Sequence, residues 1–218
     1  MKSIIILSGG MDSTTALYWA RASGKDIVAC VNFQYGSKHN QKEAKAFDDI
    51  IKTVNIKGIT INLPFVNEFF QSDLLHSGGE IPEGHYADLS MKKTVVPFRN
   101  GIMLSISAGL AESLGASEIV LGNHFGDHAI YPDCRADFAD SMAKTIKLGT
   151  YAQINLTTPF IDKTKTDIAK IGSDLKVPFE LTWSCYNGRE KHCGKCGTCV
   201  ERLEAFNHSG IKDPVEYE

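Results

Sequence analysis

The sequence contains nothing close to the ~20 consecutive apolar residues that a membrane-spanning helix needs, so no membrane partner is expected. Its first apolar run, Ile4 to Leu7, is too short for the core of a secretory signal, and the chain is expected to be cytoplasmic. Charge of one sign is also scarce. With 23 basic against 26 acidic residues, the formal net charge of −3 excludes wholesale coating of nucleic acid, which needs clustered positive charge. There is no internal repeat, low-complexity tract or long charged block. The Gly-Lys-Ser/Thr of a Walker loop and the Gly-x-Gly-x-x-Gly of a dinucleotide fold are both missing. What is present is 218 residues, 43% of them hydrophobic, enough for a domain that buries roughly 70% of its unfolded surface. Six cysteines are present; in a reducing compartment they point to metal binding or catalysis before disulfides.

Apolar patterning alternates between short β-branched runs and helical periodicity. Lys2 to Leu7, Ile27 to Phe33, Ile59 to Leu63 and Glu118 to Gly122 read as strands. Helices are expected over Asp12 to Ser23, His39 to Val54, Asn100 to Leu114, Asp137 to Leu148, Lys165 to Leu175 and Cys199 to Phe206, with a weaker one near Val66 to Leu75. Ser77 to Phe98 lacks clear periodicity and reads as a lid or interface segment. This alternation predicts an α/β fold, a Rossmann-like parallel sheet with helices on both faces. Residues 1–180 form the nucleotide-binding part and 181–218 a small C-terminal zinc-binding segment of the same structural unit.

The first chemical feature is the string Leu7-Ser8-Gly9-Gly10-Met11-Asp12-Ser13-Thr14-Thr15, where the first strand becomes the first helix. Its glycines let the backbone turn tightly against a ligand. The helix start offers free N–H groups and a partial positive charge, which suit a phosphate. Ser8, Ser13 and Thr14 add hydroxyl donors, and Asp12, repulsive to phosphate alone, suits a Mg²⁺ ion bridging phosphate oxygens. An ordinary capped turn would account for Gly-Gly by itself, but not for the whole string.

The second feature is the spacing C-x7-C-x2-C-x2-C of Cys185, Cys193, Cys196 and Cys199. Four thiolates close a tetrahedron around one structural Zn²⁺ and leave no open position. An iron–sulfur cluster takes the same number of ligands and stays open on spacing alone. Cys30 falls in a strand and reads as core, whereas Cys134 falls in a polar loop.

The string Ser8-Gly9-Gly10-Met11-Asp12-Ser13 resembles the PP-loop of the ATP pyrophosphatases, which cleave ATP between its α and β phosphates. Further ordered motifs narrow the likeness: Phe33-Gln34-Tyr35-Gly36-Ser37-Lys38-His39, Val96-Pro97-Phe98-Arg99-Asn100, Tyr131-Pro132-Asp133-Cys134-Arg135, Thr158-Pro159 with Lys165-Thr166-Asp167, and Trp183-Ser184-Cys185-Tyr186-Asn187-Gly188. Together they resemble the 7-cyano-7-deazaguanine synthase family from Leu7 to Phe206. Ser37 stands where that family often has Gln, and Phe98 where Gly is common.

The resemblance implies conversion of 7-carboxy-7-deazaguanine and ammonia to the nitrile, with two ATP molecules spent on adenylating first the carboxylate and then the amide. It implies ATP binding by Leu7, Ser8, Gly9, Gly10, Met11, Asp12, Ser13, Thr14, Thr15, Ala16 and Leu17, with Mg²⁺ carried on ATP and Asp12. Asp12, Lys165 and Arg99 are the expected catalytic set, and Asp127, Tyr131, Asp133 and Arg135 the expected substrate contacts. The chain length leaves no room for a glutaminase domain of ~150 residues, so ammonia is expected to arrive free. A homodimer is compatible with this reading. Three rivals stay open: a ligase that stops at the amide, a PP-loop tRNA thiolase, and a non-enzymatic nucleotide sensor.

Overall fold

The computed structural model describes residues 1–85, 88–126 and 130–218. Five parallel strands form one sheet in the order β3-β2-β1-β4-β5. They are β1 (Lys2–Ile6), β2 (Asp26–Gln34), β3 (Gly58–Asn62), β4 (Glu118–Val120) and β5 (Asn155–Thr157). The central strand β1 alternates strictly between two cores, as a strand buried on both faces must. Ile4 and Ile6 pack with Met103, Leu104 and Ala108 of α4 (Arg99–Ser113) and with Met142 and Ile146 of α5 (Ala136–Gly149). Ile5 and Leu7 pack on the opposite face. Their partners come from α1 (Met11–Ala22), α2 (Asn40–Val54), α6 (Lys165–Asp174) and α7 (Gly197–Ser209). A short helix, α3 (Pro64–Phe69), follows β3, where the sequence suggests a longer one reaching Leu75.

The main elements fall where their periodicity puts them, with ends displaced by at most three residues. β5 is the exception, because three residues, one of them Asn155, carry no strand signal of their own. It forms because β4 offers a parallel edge, pairing Glu118 with Asn155 and Val120 with Thr157. On α2 the buried apolar side chains are Ala46, Phe47, Ile50 and Val54, one stripe at helical spacing. The segment from Ser77 to Phe98 is tied down where it is described. Glu83 bridges Cys196, Gly84 N–H donates to Lys195 O at 3.0 Å, and Thr94 is fully buried within a 3₁₀ turn over Leu89–Thr94.

Strand order reverses between β1 and β4, so the crevice beyond their C-terminal ends is the natural ligand site of this topology. The turn after β1 enters it from one side and Gly122 to His124 from the other. Segment 181–218 packs back on the sheet part, with α7 along α6 and Phe206 edge-on to Phe179 at 5.1 Å between ring centres.

Candidate active site

Gly9 makes the turn after β1 possible. It lies at φ +92°, and a Cβ there would stand 2.8 Å from both Glu43 O and Phe47 N at the start of α2. Its carbonyl accepts from Trp183 N–H at 2.9 Å, and Asn32 donates to Leu7 O and Ser8 O, so the loop is clamped from three elements. Within the loop, Ser13 Oγ accepts from Ser8 N–H at 3.2 Å and Thr14 Oγ1 donates to Gly10 O at 2.7 Å. The first turn of α1 is thereby held open toward the crevice, with its N–H groups presented as an anion cradle.

Asp12 sits on that first turn. Its Oδ2 accepts from Lys165 Nζ at 2.6 Å, and Lys165 also meets Glu201 at 3.3 Å. His124, buried at 1% exposure, brings Nε2 to 3.4 Å from Lys165 Nζ and 3.8 Å from Asp12 Oδ2; its Nδ1 accepts from Gly126 N–H. Asp12 Oδ1 is buried and has no hydrogen-bond partner among the described residues. An orphaned, hard anionic oxygen beside an anion cradle is the donor that a Mg²⁺-bound triphosphate takes up, so the residues fit that group.

From this loop a cavity of ≈ 190 Å³ runs beneath Phe33, Tyr35, Met103, Trp183 and Tyr186 to Arg99. Arg99 opens α4 and donates to Tyr35 OH at 3.1 Å. Burial works against its charge, but Tyr35, Tyr186, Asp133 and Cys134 together push its pKa well above the ordinary arginine value. His39 is 3% exposed and burial, aided by Arg99, pulls it down to about 3, so it is neutral. Burial pushes Glu43 up to about 8 against the opposing pull of Arg99.

The expected catalytic residues Asp12, Lys165 and Arg99 all line this one cavity. The expected substrate contacts distribute differently. Asp133 Oδ2 accepts from Asn100 N–H at 2.8 Å, capping α4, and Tyr131 OH joins Thr94 and Tyr186 in a hydroxyl chain at 2.9 and 3.1 Å. Both stand behind the cavity wall. Arg135 is exposed at the start of α5, and Asp127 lies outside the described residues. Cys134 does reach the cavity and accepts from Asn100 Nδ2 at 3.2 Å. Glu43 escaped the sequence reading, although its place four residues after His39 puts both on one face of α2's first turn.

Cys185, Cys193, Cys196 and Cys199 bring their Sγ atoms within 4.8 Å of one another, all four buried. Zn–S bonds of about 2.3 Å imply sulfur–sulfur edges near 3.8 Å, so small adjustments close a tetrahedron. Cys193 Sγ accepts from the N–H groups of Lys195 and Cys196 and from Asn187 Nδ2, donors that offset thiolate charge. The donor set fits a structural metal ion. Cys30, pushed up to about 12 by burial, is inert core.

The fold is shared with solved structures of low sequence identity. A U34-tRNA thiolase from Methanococcus maripaludis aligns with a TM-score of 0.54 at 10% identity, covering 96% of this chain and 64% of its own. A 4-thiouridine synthetase solved with RNA and ATP aligns at 0.53 and 18% identity, covering 93% and 49%. Among curated sequences, 7-cyano-7-deazaguanine synthases are similar over the whole length. The protein from Porphyromonas gingivalis is 53% identical, covering 99% of this chain and 97% of its own. That from Desulfotalea psychrophila is 49% identical, covering 100% and 99%. Residues 2–210 match the family described as "Queuosine biosynthesis protein QueC", and with that span and these identities the chain belongs to the QueC family.

Proposed function

We propose that the protein converts 7-carboxy-7-deazaguanine, ammonia and two ATP to 7-cyano-7-deazaguanine, two AMP and two diphosphates. One observation carries this reading: a single cavity joins the phosphate loop of Ser8 to Ser13 to the buried guanidinium of Arg99 under aromatic walls. ATP phosphates lie in the loop from Leu7 to Leu17. Arg99, with its planar fork, pairs with the carboxylate of a flat ring lodged between Tyr35, Met103 and Trp183. Mg²⁺ bound with ATP neutralises phosphate charge there, and Asp12 Oδ1 would hold it. Lys165, released from Asp12, faces the α-phosphate and the departing diphosphate.

Adenylation is required because a carboxylate oxygen is a poor leaving group and AMP a good one. Ammonia then attacks the activated carbon, AMP departs with the C–O bonding pair, the nitrogen gives one proton to water, and the amide is left. Repeating the activation on the amide oxygen allows a second AMP to leave with formation of the nitrile. Tyr131 and Asp133 act from behind the wall, through Tyr186 and Asn100, while Arg135 stands outside it. Cys185, Cys193, Cys196 and Cys199 would hold a structural zinc ion, which would brace the segment that carries Trp183 and Tyr186.

The test is incubation with ATP, Mg²⁺, ammonium and 7-carboxy-7-deazaguanine, read by mass spectrometry and AMP release. The expected result is nitrile with two AMP per product. Amide as the final product, with one AMP, would assign the chain to the shorter reaction, and absence of AMP and of both products would overturn the proposal.

A further inference from the structure

Among the described residues, only two carboxylates line the cavity, Asp12 and Glu43. Asp12 is engaged with Lys165 at the phosphate end. Glu43 lies in the first turn of α2, directly behind Gly9, whose Cβ would stand 2.8 Å from Glu43 O. Its side chain is 14% exposed and brings Oε2 to 3.4 Å from His39 Nε2. The ionisable groups around it are Arg99 from α4, Tyr35 after β2 and His39 before α2.

These neighbours leave one candidate for proton transfer. Arg99 cannot give up its proton near neutrality. Burial raises Tyr35, which keeps its proton, and His39, drawn down to about 3, is too weak a base to hold one. Glu43 alone can cycle between acid and carboxylate close to working pH, where a general base is most effective.

The reaction needs such a group most in its second half. Ammonia enters the first half as a neutral nucleophile with its own lone pair, and the one proton it sheds leaves a strongly acidic ammonium nitrogen that water can deprotonate. The amide does not. When its oxygen attacks the α-phosphorus, an O–P bond forms and diphosphate leaves with its bonding pair, giving a cationic nitrogen that must lose one proton to become the neutral imidate. The remaining N–H proton must then leave, its bonding pair forming the second π bond as the C–O bond breaks and AMP departs with that pair. Two protons thus go from nitrogen to a base, one at a time, with the base discharging to solvent between them.

We infer that Glu43 is the general base that takes these two protons, and so the residue that carries the reaction past the amide. The inference rests on the proposed nitrile-forming activity. It gives Glu43 a task confined to one half-reaction, which a structural or ring-holding role would not have.

The experiment compares wild type, Glu43→Gln and Glu43→Asp in two assays, amide formation from the carboxylate and nitrile formation from the amide supplied directly. For Glu43→Gln the nitrile step should fall by about 100-fold or more while amide formation falls by less than about 10-fold, so that amide accumulates. Glu43→Asp should recover part of the nitrile rate. In wild type that rate should climb as pH rises through about 8, because burial favours the neutral acid and only the carboxylate accepts; the Gln variant should lose this limb. Equal losses in both halves, a raised KM with an unchanged product ratio, no effect, or a Gln variant that makes neither product would each overturn the assignment. If wild type itself makes no nitrile, the proposed function fails and this inference with it; if wild type does and the variant keeps its product ratio, the inference alone fails.

Discussion

Gly9 and Gly24 both adopt left-handed backbone angles, +92° and +70°, yet only one of them is irreplaceable on spatial grounds. A Cβ at Gly24 meets nothing within 4 Å, so alanine there pays only the left-handed strain of about 1 kcal/mol. At Gly9 the same methyl would press on Glu43 O, Phe47 N and Ala46 Cβ, all within 2.9 Å, two of them rigid backbone atoms. Gly9→Ala should therefore cost about 2 kcal/mol or more and disable ATP-dependent AMP release, whereas Gly24→Ala should leave turnover intact. Urea unfolding and an AMP assay on both variants test this, and a fully active Gly9→Ala protein would contradict it. Phe98 also stands in the left-handed region, at φ +54° just before α4. Its ring makes an edge-on contact with Phe138 at 5.8 Å between ring centres.

Strands and helices with a strong period were legible from sequence because burial on two faces forces apolar runs into β1 and β2 and apolar stripes onto α2 and α5. β5 was not, since three residues paired to an existing edge need no signal of their own. What the sequence hid there is Glu118, a charge inside the sheet. Its carboxylate, 3% exposed, accepts from Lys25 at 2.7 and 2.9 Å, Ser3 of β1 at 2.5 Å and Thr157 of β5 at 2.5 Å, joining three strands. Burial opposes the charge, but these donors outweigh it and hold the carboxyl below its usual range. A depressed folded-state pKa means stability present above the unfolded value, near pH 4.3, and lost as pH falls through the folded one. Glu118→Gln should thus destabilise the protein near neutrality by about 3 kcal/mol, as for a buried pair losing one partner, and flatten the acid limb of a stability profile below pH ~4.5. An acid limb identical to that of wild type would remove Glu118 from this role.

The candidate site divides in the same way between what a local motif can show and what only the assembled chain can. Asp12, Lys165, Tyr35 and Trp183 each stood in a short string, but Glu43 stood in none, and no spacing announces that these strings converge on one cavity. The four cysteines, visible as a motif, turn out to hold a wall of this cavity. Ser184, Tyr186 and Thr198 line it within the same segment that carries Cys185, Cys196 and Cys199. Fully buried Arg202 locks that segment down, donating to both Asp213 oxygens at 2.9 Å, to Thr182 Oγ1 at 2.8 Å and to Phe179 O at 3.2 Å. The four cysteines belong to the same buried cluster as Ile4 and Ile6 of β1, and Phe206 of α7 to the cluster of Ile5 on the other face. Removing a structural metal deprives such a segment of its main source of folding energy. Chelation under denaturant-assisted conditions, or Cys193→Ser, should therefore release one zinc per chain and cost about 3 kcal/mol or more, a fall in Tm of about 6–12 °C. AMP release should disappear with it, because the loss of Trp183 N–H from Gly9 O unclamps the phosphate loop. Metal analysis, calorimetry and the AMP assay on one sample check all of this. Iron with acid-labile sulfide in place of zinc would reassign the cluster, and metal-free protein that still releases AMP at the normal rate would detach it from the site altogether.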